Sequence, residues 1–246
     1  MKKEFWRDWK RKTKLEEAAI KSLKIGKKLI LQEIPNSKIH SIYVKGSFVR
    51  REMNNKSDVD IVVIVNDNKY IKDIKDLYEK TKGKHKPDMG IGAHSLWELK
   101  NNKRFGKSKK LRASPYTFIR QIERYKLIFG KKLNPITYSK KVDDKRYLEN
   151  RIKTFRNLFI PLYGEKKIGF LDLIKQVFWL VESEERAKSR NPPHNWKKLA
   201  KSIKNKNHIV QDSLRLRLKP TKDKKIRERY LRKLEKHLDK LEKAAG

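Results

Sequence analysis

Asp58 and Asp60 stand one residue apart at the mouth of a hydrophobic strand, Val59 and then Ile61 to Val65. Side chains along a strand alternate between faces, so residues two apart project the same way. The two aspartates therefore sit side by side, with Val59 and Ile61 on the opposite face. Neighbouring carboxylates repel, and they are costly to hold against a core without a counter-charge. A hard divalent cation such as Mg²⁺ resolves that conflict, because it takes oxygen ligands and shares them with phosphates. Alone, the pair would merely open a strand after the polar turn Asn54-Asn55-Lys56-Ser57.

A second feature lies eleven residues upstream of Asp58. Residues 38–45 are β-branched and aromatic enough to form a strand that ends at Gly46-Ser47. Glycine there lets the backbone approach a ligand, and Ser47 offers a hydroxyl and an N–H to phosphate oxygens. A helix starting just after Ser47 would add its positive N-terminal end.

Together, Gly46-Ser47, ten intervening residues and Asp58-x-Asp60 resemble the DNA polymerase β-like nucleotidyltransferase superfamily. Its minimal and aminoglycoside-type branches carry a helical domain after the catalytic one. The resemblance covers residues 36–100 by motif and the remainder only by length and helical character. It implies transfer of an NMP from an NTP to an acceptor hydroxyl, with release of pyrophosphate. ATP is the expected nucleotide and two Mg²⁺ ions the expected cofactors. By the same resemblance, Asp58 and Asp60 are catalytic metal ligands, and Gly46 and Ser47 hold the nucleotide. Gly46-Ser47-Phe48-Val49-Arg50 matches a Gly-Ser-x-x-Arg pattern, so Arg50 is expected on the triphosphate, with Arg51 as the neighbouring alternative. The third carboxylate is expected at Asp88, in Lys86-Pro87-Asp88-Met89-Gly90, as a metal ligand or as the base that takes the acceptor proton.

The expected fold is α+β: an N-terminal α/β nucleotidyltransferase domain with a small mixed sheet, then a C-terminal helical bundle. Residues 1–35 form a helical segment packing on the catalytic domain, 36–140 the catalytic domain and 141–246 the bundle. Within the first part, helices are expected over 9–33, ending at Pro35, and near 69–82. Strands are expected at 38–45, 59–65 and 88–94, with a further helix capped by Ser95. Ser114-Pro115 opens another helix, expected to run to Gly130 as its C-cap. Polar residues 131–144 carry the boundary. Beyond it, helices are expected at 146–163, 168–188, 194–205, 207–217 and 221–244.

Several side groups invite attention. Glu182 to Glu185 end a strongly apolar helix and read as a solvated helix end countering lysines, although a glutamate of such a bundle serves as base in the aminoglycoside-modifying relatives. Arg232 and His237 have the Arg-x4-His spacing of HEPN ribonucleases, which a basic surface helix also produces by chance. His194 and Trp196 lie in the turn Arg190-Asn191-Pro192-Pro193-His194-Asn195-Trp196, where packing or cleft-lining roles are both open. His94 reads as a strand-end residue.

The chain has 246 residues and no cysteine, which excludes disulfides, thiolate metal sites and cysteine nucleophiles. Neither a signal-peptide-like run nor a membrane-length apolar stretch is present, so a soluble cytoplasmic protein is expected. A net charge of +37 attracts polyanions, RNA such as tRNA foremost, through a basic surface. The lysines spread along the whole chain, however, as they do when genome composition or thermophily supplies them. Two functions of different class follow: an active enzyme acting on a small molecule, a protein hydroxyl or an RNA end, and a basic RNA-binding or antitoxin-like module that keeps the fold without turnover.

Overall fold

The computed structural model describes residues 4–106, 114–138 and 143–245, so residues 139–142 of the expected boundary lie outside the described residues. The chain divides into two compact units, Met1–Lys141 and Val142–Gly246.

In the first unit, α1 (Lys14–Glu33) begins at a capping box: the Glu16 N–H donates to the Thr13 hydroxyl, and the Thr13 N–H donates to the Glu16 carboxylate. The helix therefore starts at residue 14 and not near residue 9, with turns preceding it. It is followed by β1 (Ile39–Lys45), α2 (Gly46–Arg50), β2 (Val59–Val65), α3 (Tyr70–Thr81), β3 (Met89–Ser95) and α4 (Leu96–Asn101). After these come α5 (Pro115–Gln121), β4 (Lys126–Gly130) and α6 (Pro135–Tyr138). The sheet order is β3-β2-β1-β4, mixed as expected, with β2 and β3 parallel and the other pairs antiparallel.

Both faces of the sheet are covered. Val59, Ile61, Val63 and Val65 face Ala19, Leu23 and Ile30 of α1 and Ile74 and Leu77 of α3. Val62 and Ile64 face Leu99, Phe118, Ile119 and Ile122. Burial of each such side chain contributes about 1.5–3 kcal/mol. Helix α1 sits close to the sheet: a Cβ on Gly26 would lie 2.7 Å from Ile61 Cδ1 and 2.8 Å from Met89 Sδ.

The expected helix from Ser114 to Gly130 is corrected by the structure. Only Pro115–Gln121 is α-helical; a 3-10 turn follows, and Lys126–Gly130 is the fourth strand. The apolar spacing of Phe118, Ile119 and Ile122 is helical, but pairing with β1 claims what comes next. Gly130 ends this strand and caps no helix: its φ is +78° and a Cβ there would collide with the His40 carbonyl, so the position takes glycine.

The second unit is helical throughout its described residues: α7 (Asp144–Thr154), α8 (Ile160–Gly164), α9 (Phe170–Ala187), α10 (Trp196–Ser202), α11 (Ile209–Leu218) and α12 (Lys224–Ala245). A π-helical turn, Phe155–Phe159, precedes Pro161, whose missing N–H cannot continue the regular ladder. The core gathers Leu173, Ile174, Val177, Phe178 and Val181 of α9 with Leu234 and Leu238 of α12. Trp196 stacks on Phe178 at 4.6 Å and 6°, beneath the Arg217 guanidinium, and so packs the core. Among the described residues, no helix is long and apolar enough to cross a membrane.

Candidate functional site

The site grows from the end of β1 and the mouth of β2. Lys45 pairs with Asp60 across the antiparallel ladder, and its Nζ lies 3.6 Å from Asp60 Oδ1. The next residue, Gly46, has φ +81° and passes so close to Asp60 that a Cβ would collide with Oδ2. Only glycine meets both conditions. The chain then turns into α2, and Ser47 is half-buried in its first turn.

Across the sheet, Gly90 of β3 pairs with Asp60. A Cβ there would stand 3.3 Å from Asp58 Oδ2 and 3.6 Å from Asp60 Oδ1. Both carboxylates thus converge over one side-chain-free position. Asp58 is exposed and Asp60 half-buried, with the buried Val59 facing the other way. The alternation expected from sequence is present, and the glycine that weakens β3 also makes room for the carboxylates.

Asp88 immediately precedes β3, and its carbonyl accepts from the Val59 N–H at 2.8 Å. Its carboxylate accepts from the backbone N–H groups of Gly83 (3.0 Å) and Met89 (2.8 Å), closing the turn that leads into the strand. Ser22 of α1 anchors the same turn by donating to the Pro87 carbonyl at 2.9 Å. Asp58 and Asp88 line one open cleft of about 690 Å³, together with Lys14, Lys56, Ser57 and His85. Among the described residues, the group of three His, Asp or Glu side chains whose ligand atoms all fall within 4.8 Å is Glu184, His208 and His237 of the second unit. Asp58, Asp60 and Asp88 do not close to that spacing.

Residues 8–105 match the family model described as polymerase beta, nucleotidyltransferase. Residues 8–105 thus form a domain of the polymerase β-like nucleotidyltransferase superfamily. No curated protein matches the chain.

Within the nucleotidyltransferase domain, the arginines of the loop are engaged by the protein itself. Arg50 is buried, and its Nε donates to Glu52 Oε2 at 2.8 Å. Arg51, in the left-handed region at φ 58°, donates to both carboxylate oxygens of Glu16 and to the Arg11 carbonyl, and it lies over the Trp9 ring at 4.8 Å. The Arg51 guanidinium holds the Glu16 carboxyl below the ordinary carboxylate range, against the opposing effect of burial. Both arginines thus brace the loop that carries Gly46 and Ser47. The cations that accompany the carboxylates are instead Lys45 beside Asp60 and Lys14 and Lys56 in the cleft. Sequence reasoning missed them, although Lys45 could have been found from its place directly before Gly46 on the strand paired with β2.

The donor set fits a hard divalent cation: two adjacent carboxylates, oxygen only, beside backbone that carries no Cβ at Gly46 or Gly90. His94, in contrast, is buried, with Nδ1 3.1 Å from Glu98 Oε2 and its ring 5.0 Å from Phe118. It serves the core beneath α4 and α5.

In the second unit, Glu182 to Glu185 differ from the expected solvated helix end, since all four residues are buried. Glu182 pairs with Arg186 and faces His194 at 3.9 Å; Glu185 pairs with Lys188 and Arg190. The helix end is folded over by the turn that follows, so the lysine and arginine partners cover the carboxylates. Arg232 is exposed on α12 while His237 turns inward, so the two do not share a face.

Proposed function

We propose that the domain transfers a nucleotidyl group from an NTP, ATP first among them, to an acceptor hydroxyl, with Mg²⁺ held by Asp58 and Asp60. The convergence of those two carboxylates over Gly90, beside the positive-φ Gly46, carries this reading. Bound Mg²⁺ would neutralise triphosphate charge and acidify the acceptor hydroxyl. Gly46 and Ser47 lead the chain past the carboxylates with backbone close enough to meet phosphate oxygens. Lys45, Lys14 and Lys56 add positive charge where the leaving pyrophosphate gains negative charge.

In the transfer, the acceptor oxygen bonds to the α-phosphorus and the bond from that phosphorus to the bridging oxygen of the β-phosphate breaks. The acceptor proton passes to a base. Asp88 and His85, both in the cleft with Asp58, are the side chains offered for that role. The Asp88 carboxylate already accepts from the Gly83 and Met89 N–H groups, which supports His85 as the first residue to vary. The net charge of +37 supports an RNA end, such as that of a tRNA, as the first acceptor to try.

A second reading, a basic RNA-binding module without turnover, draws support from one observation. Both loop arginines are committed to ion pairs with Glu52 and Glu16.

The test is incubation with each α-³²P-labelled NTP and Mg²⁺ in the presence of cellular RNA, total protein or a metabolite extract. The Asp58→Asn/Asp60→Asn double variant runs in parallel. Label entering one acceptor pool, and lost in the variant, supports transfer. Absence of label from every pool, with RNA bound equally by both proteins, moves the conclusion to the binding module.

A further inference from the structure

Away from the carboxylates of the sheet, the helical unit brings together three side chains that the nucleotidyl chemistry does not use. Glu184 comes from α9, His208 from the N-cap of α11 and His237 from the middle of α12. His208 Nε2 lies 3.2 Å from Glu184 Oε2, and His237 Nε2 lies 3.1 Å from the same oxygen. The two imidazoles stand nearly perpendicular, 79° apart, with centroids 4.8 Å from each other. All three ligand atoms fall within 4.8 Å of one another.

The two distances to Glu184 Oε2, 3.2 and 3.1 Å, are close to those between ligands of a bound metal. Ligands held at 2.0–2.1 Å from a tetrahedral Zn²⁺ stand about 3.3 Å from one another. The His237 Nε2 atom is also buried without an aligned hydrogen bond, although the carboxylate is 3.1 Å away. A buried imidazole nitrogen pointed at an oxygen it does not properly engage is costly, and a shared cation between them removes that cost. Lys188 Nζ binds the other oxygen, Oε1, at 2.6 Å, which leaves Oε2 facing the two rings. The sole cost visible at His208 is its Nδ1, which accepts from the Val210 N–H at a long 3.3 Å. Coordination through Nε2 moves the ring proton to Nδ1 and gives up that one weak cap.

We propose that Glu184, His208 and His237 form a three-ligand site for a borderline divalent transition-metal ion, Zn²⁺ foremost, with a fourth position left for water. Two imidazoles and one carboxylate suit Zn²⁺, Co²⁺ or Ni²⁺, and they suit Mg²⁺ poorly, because it prefers an oxygen shell. Asp58 and Asp60 offer only oxygen, so one chain carries two donor sets that sort two kinds of metal. The ion would tie α9, the start of α11 and α12 to one another, and its part is structural.

The experiment uses the full chain without a polyhistidine tag, stripped with a chelator and titrated with Co²⁺. The expected result is one equivalent of Co²⁺ with the visible absorption of a tetrahedral site, displaced by Zn²⁺ and not by excess Mg²⁺. His208→Asn keeps a good helix cap, so the variant folds while one ligand is lost. This variant and His237→Gln are expected to bind Zn²⁺ at least about 100-fold more weakly. The thermal midpoint should rise with Zn²⁺ in the parent and not in His208→Asn. Asp58→Asn/Asp60→Asn should keep the full Co²⁺ spectrum. Absence of a tetrahedral spectrum in the parent overturns the site. Its persistence in both histidine variants, or its loss in the aspartate variant, overturns it equally.

Discussion

The two units treat their carboxylates in opposite ways. Asp58 and Asp60 stand at a strand mouth, exposed and half-buried, with lysine Nζ 3.6 Å from Asp60. Glu182, Glu184 and Glu185 are each about 95% buried; Lys188, Arg190, His208 and His237 stand at hydrogen-bonding distance from Glu184 or Glu185, and Glu182 faces Arg186 at 3.7 Å and His194 at 3.9 Å. Burial alone would push the Glu184 carboxyl up. The His208, His237 and Lys188 contacts outweigh it and hold Glu184 well below the usual carboxylate range. Carboxylates whose charge is already matched by the protein hold helices together. Asp58 and Asp60 stand instead beside backbone that carries no Cβ, at Gly46 and Gly90.

The comparison breaks most directly at Asp58→Asn/Asp60→Asn. Transfer should fall by about 10³-fold or more, while the unfolding midpoint stays within a degree or two of the parent, read by labelled-NTP transfer and calorimetry. A large loss of stability instead would make the pair a structural element like Glu184. Next comes Gly46→Ala, which forces a Cβ into the Asp60 carboxylate at φ +81°. It should cost about 1–2 kcal/mol of stability and reduce transfer more than tenfold, a combination that separates backbone path from charge.

On the other side, Glu182→Gln should lower unfolding free energy by about 1–3 kcal/mol in denaturant titrations and leave transfer within twofold. If it abolished transfer at unchanged stability, a glutamate of the helical unit would belong to the chemistry. Arg51→Met should cost about 1–2 kcal/mol, since it strands the buried Glu16 carboxylate while Arg51 itself is partly exposed. The Glu16 pKa is lowered on folding, so its contribution is present above the unfolded value of 4.5 and is lost as pH falls through the folded value. The difference between parent and variant should therefore shrink in acid, as measured by urea unfolding between pH 7 and 3. Smallest is Tyr230→Phe. It removes a 2.8 Å bond to the Ser213 hydroxyl in the helical core, worth about 1 kcal/mol, with no effect on transfer.

Much of the carboxylate face of the sheet was legible because short-range rules govern it. Alternation placed Asp58 and Asp60 together, and Gly46 was marked by its neighbours. The Thr13-x-x-Glu16 box would have set the helix start that apolar periodicity placed too early. What stayed hidden depends on contacts between distant residues. Lys126–Gly130 reads as the end of a helix until β1 is present to pair with it. The ion pairs of Arg50 with Glu52 and of Arg51 with Glu16 are likewise not announced by the Gly-Ser-x-x-Arg pattern. Nor does any spacing announce that His208 and His237 would meet Glu184, for the three come from separate helices.

Arg51 also ties chemistry to a signal. Its guanidinium covers the Trp9 ring, and Trp9 meets Phe48 of α2 edge-on at 5.2 Å. An indole pressed against the first turn after Gly46-Ser47 senses any shift of that turn through its emission. The chain thus carries its own fluorophore beside the Gly46-Ser47 turn. Titration with an NTP should change the parent's fluorescence, and the change should be smaller in Trp9→Phe, where Trp6 still packs on Phe48.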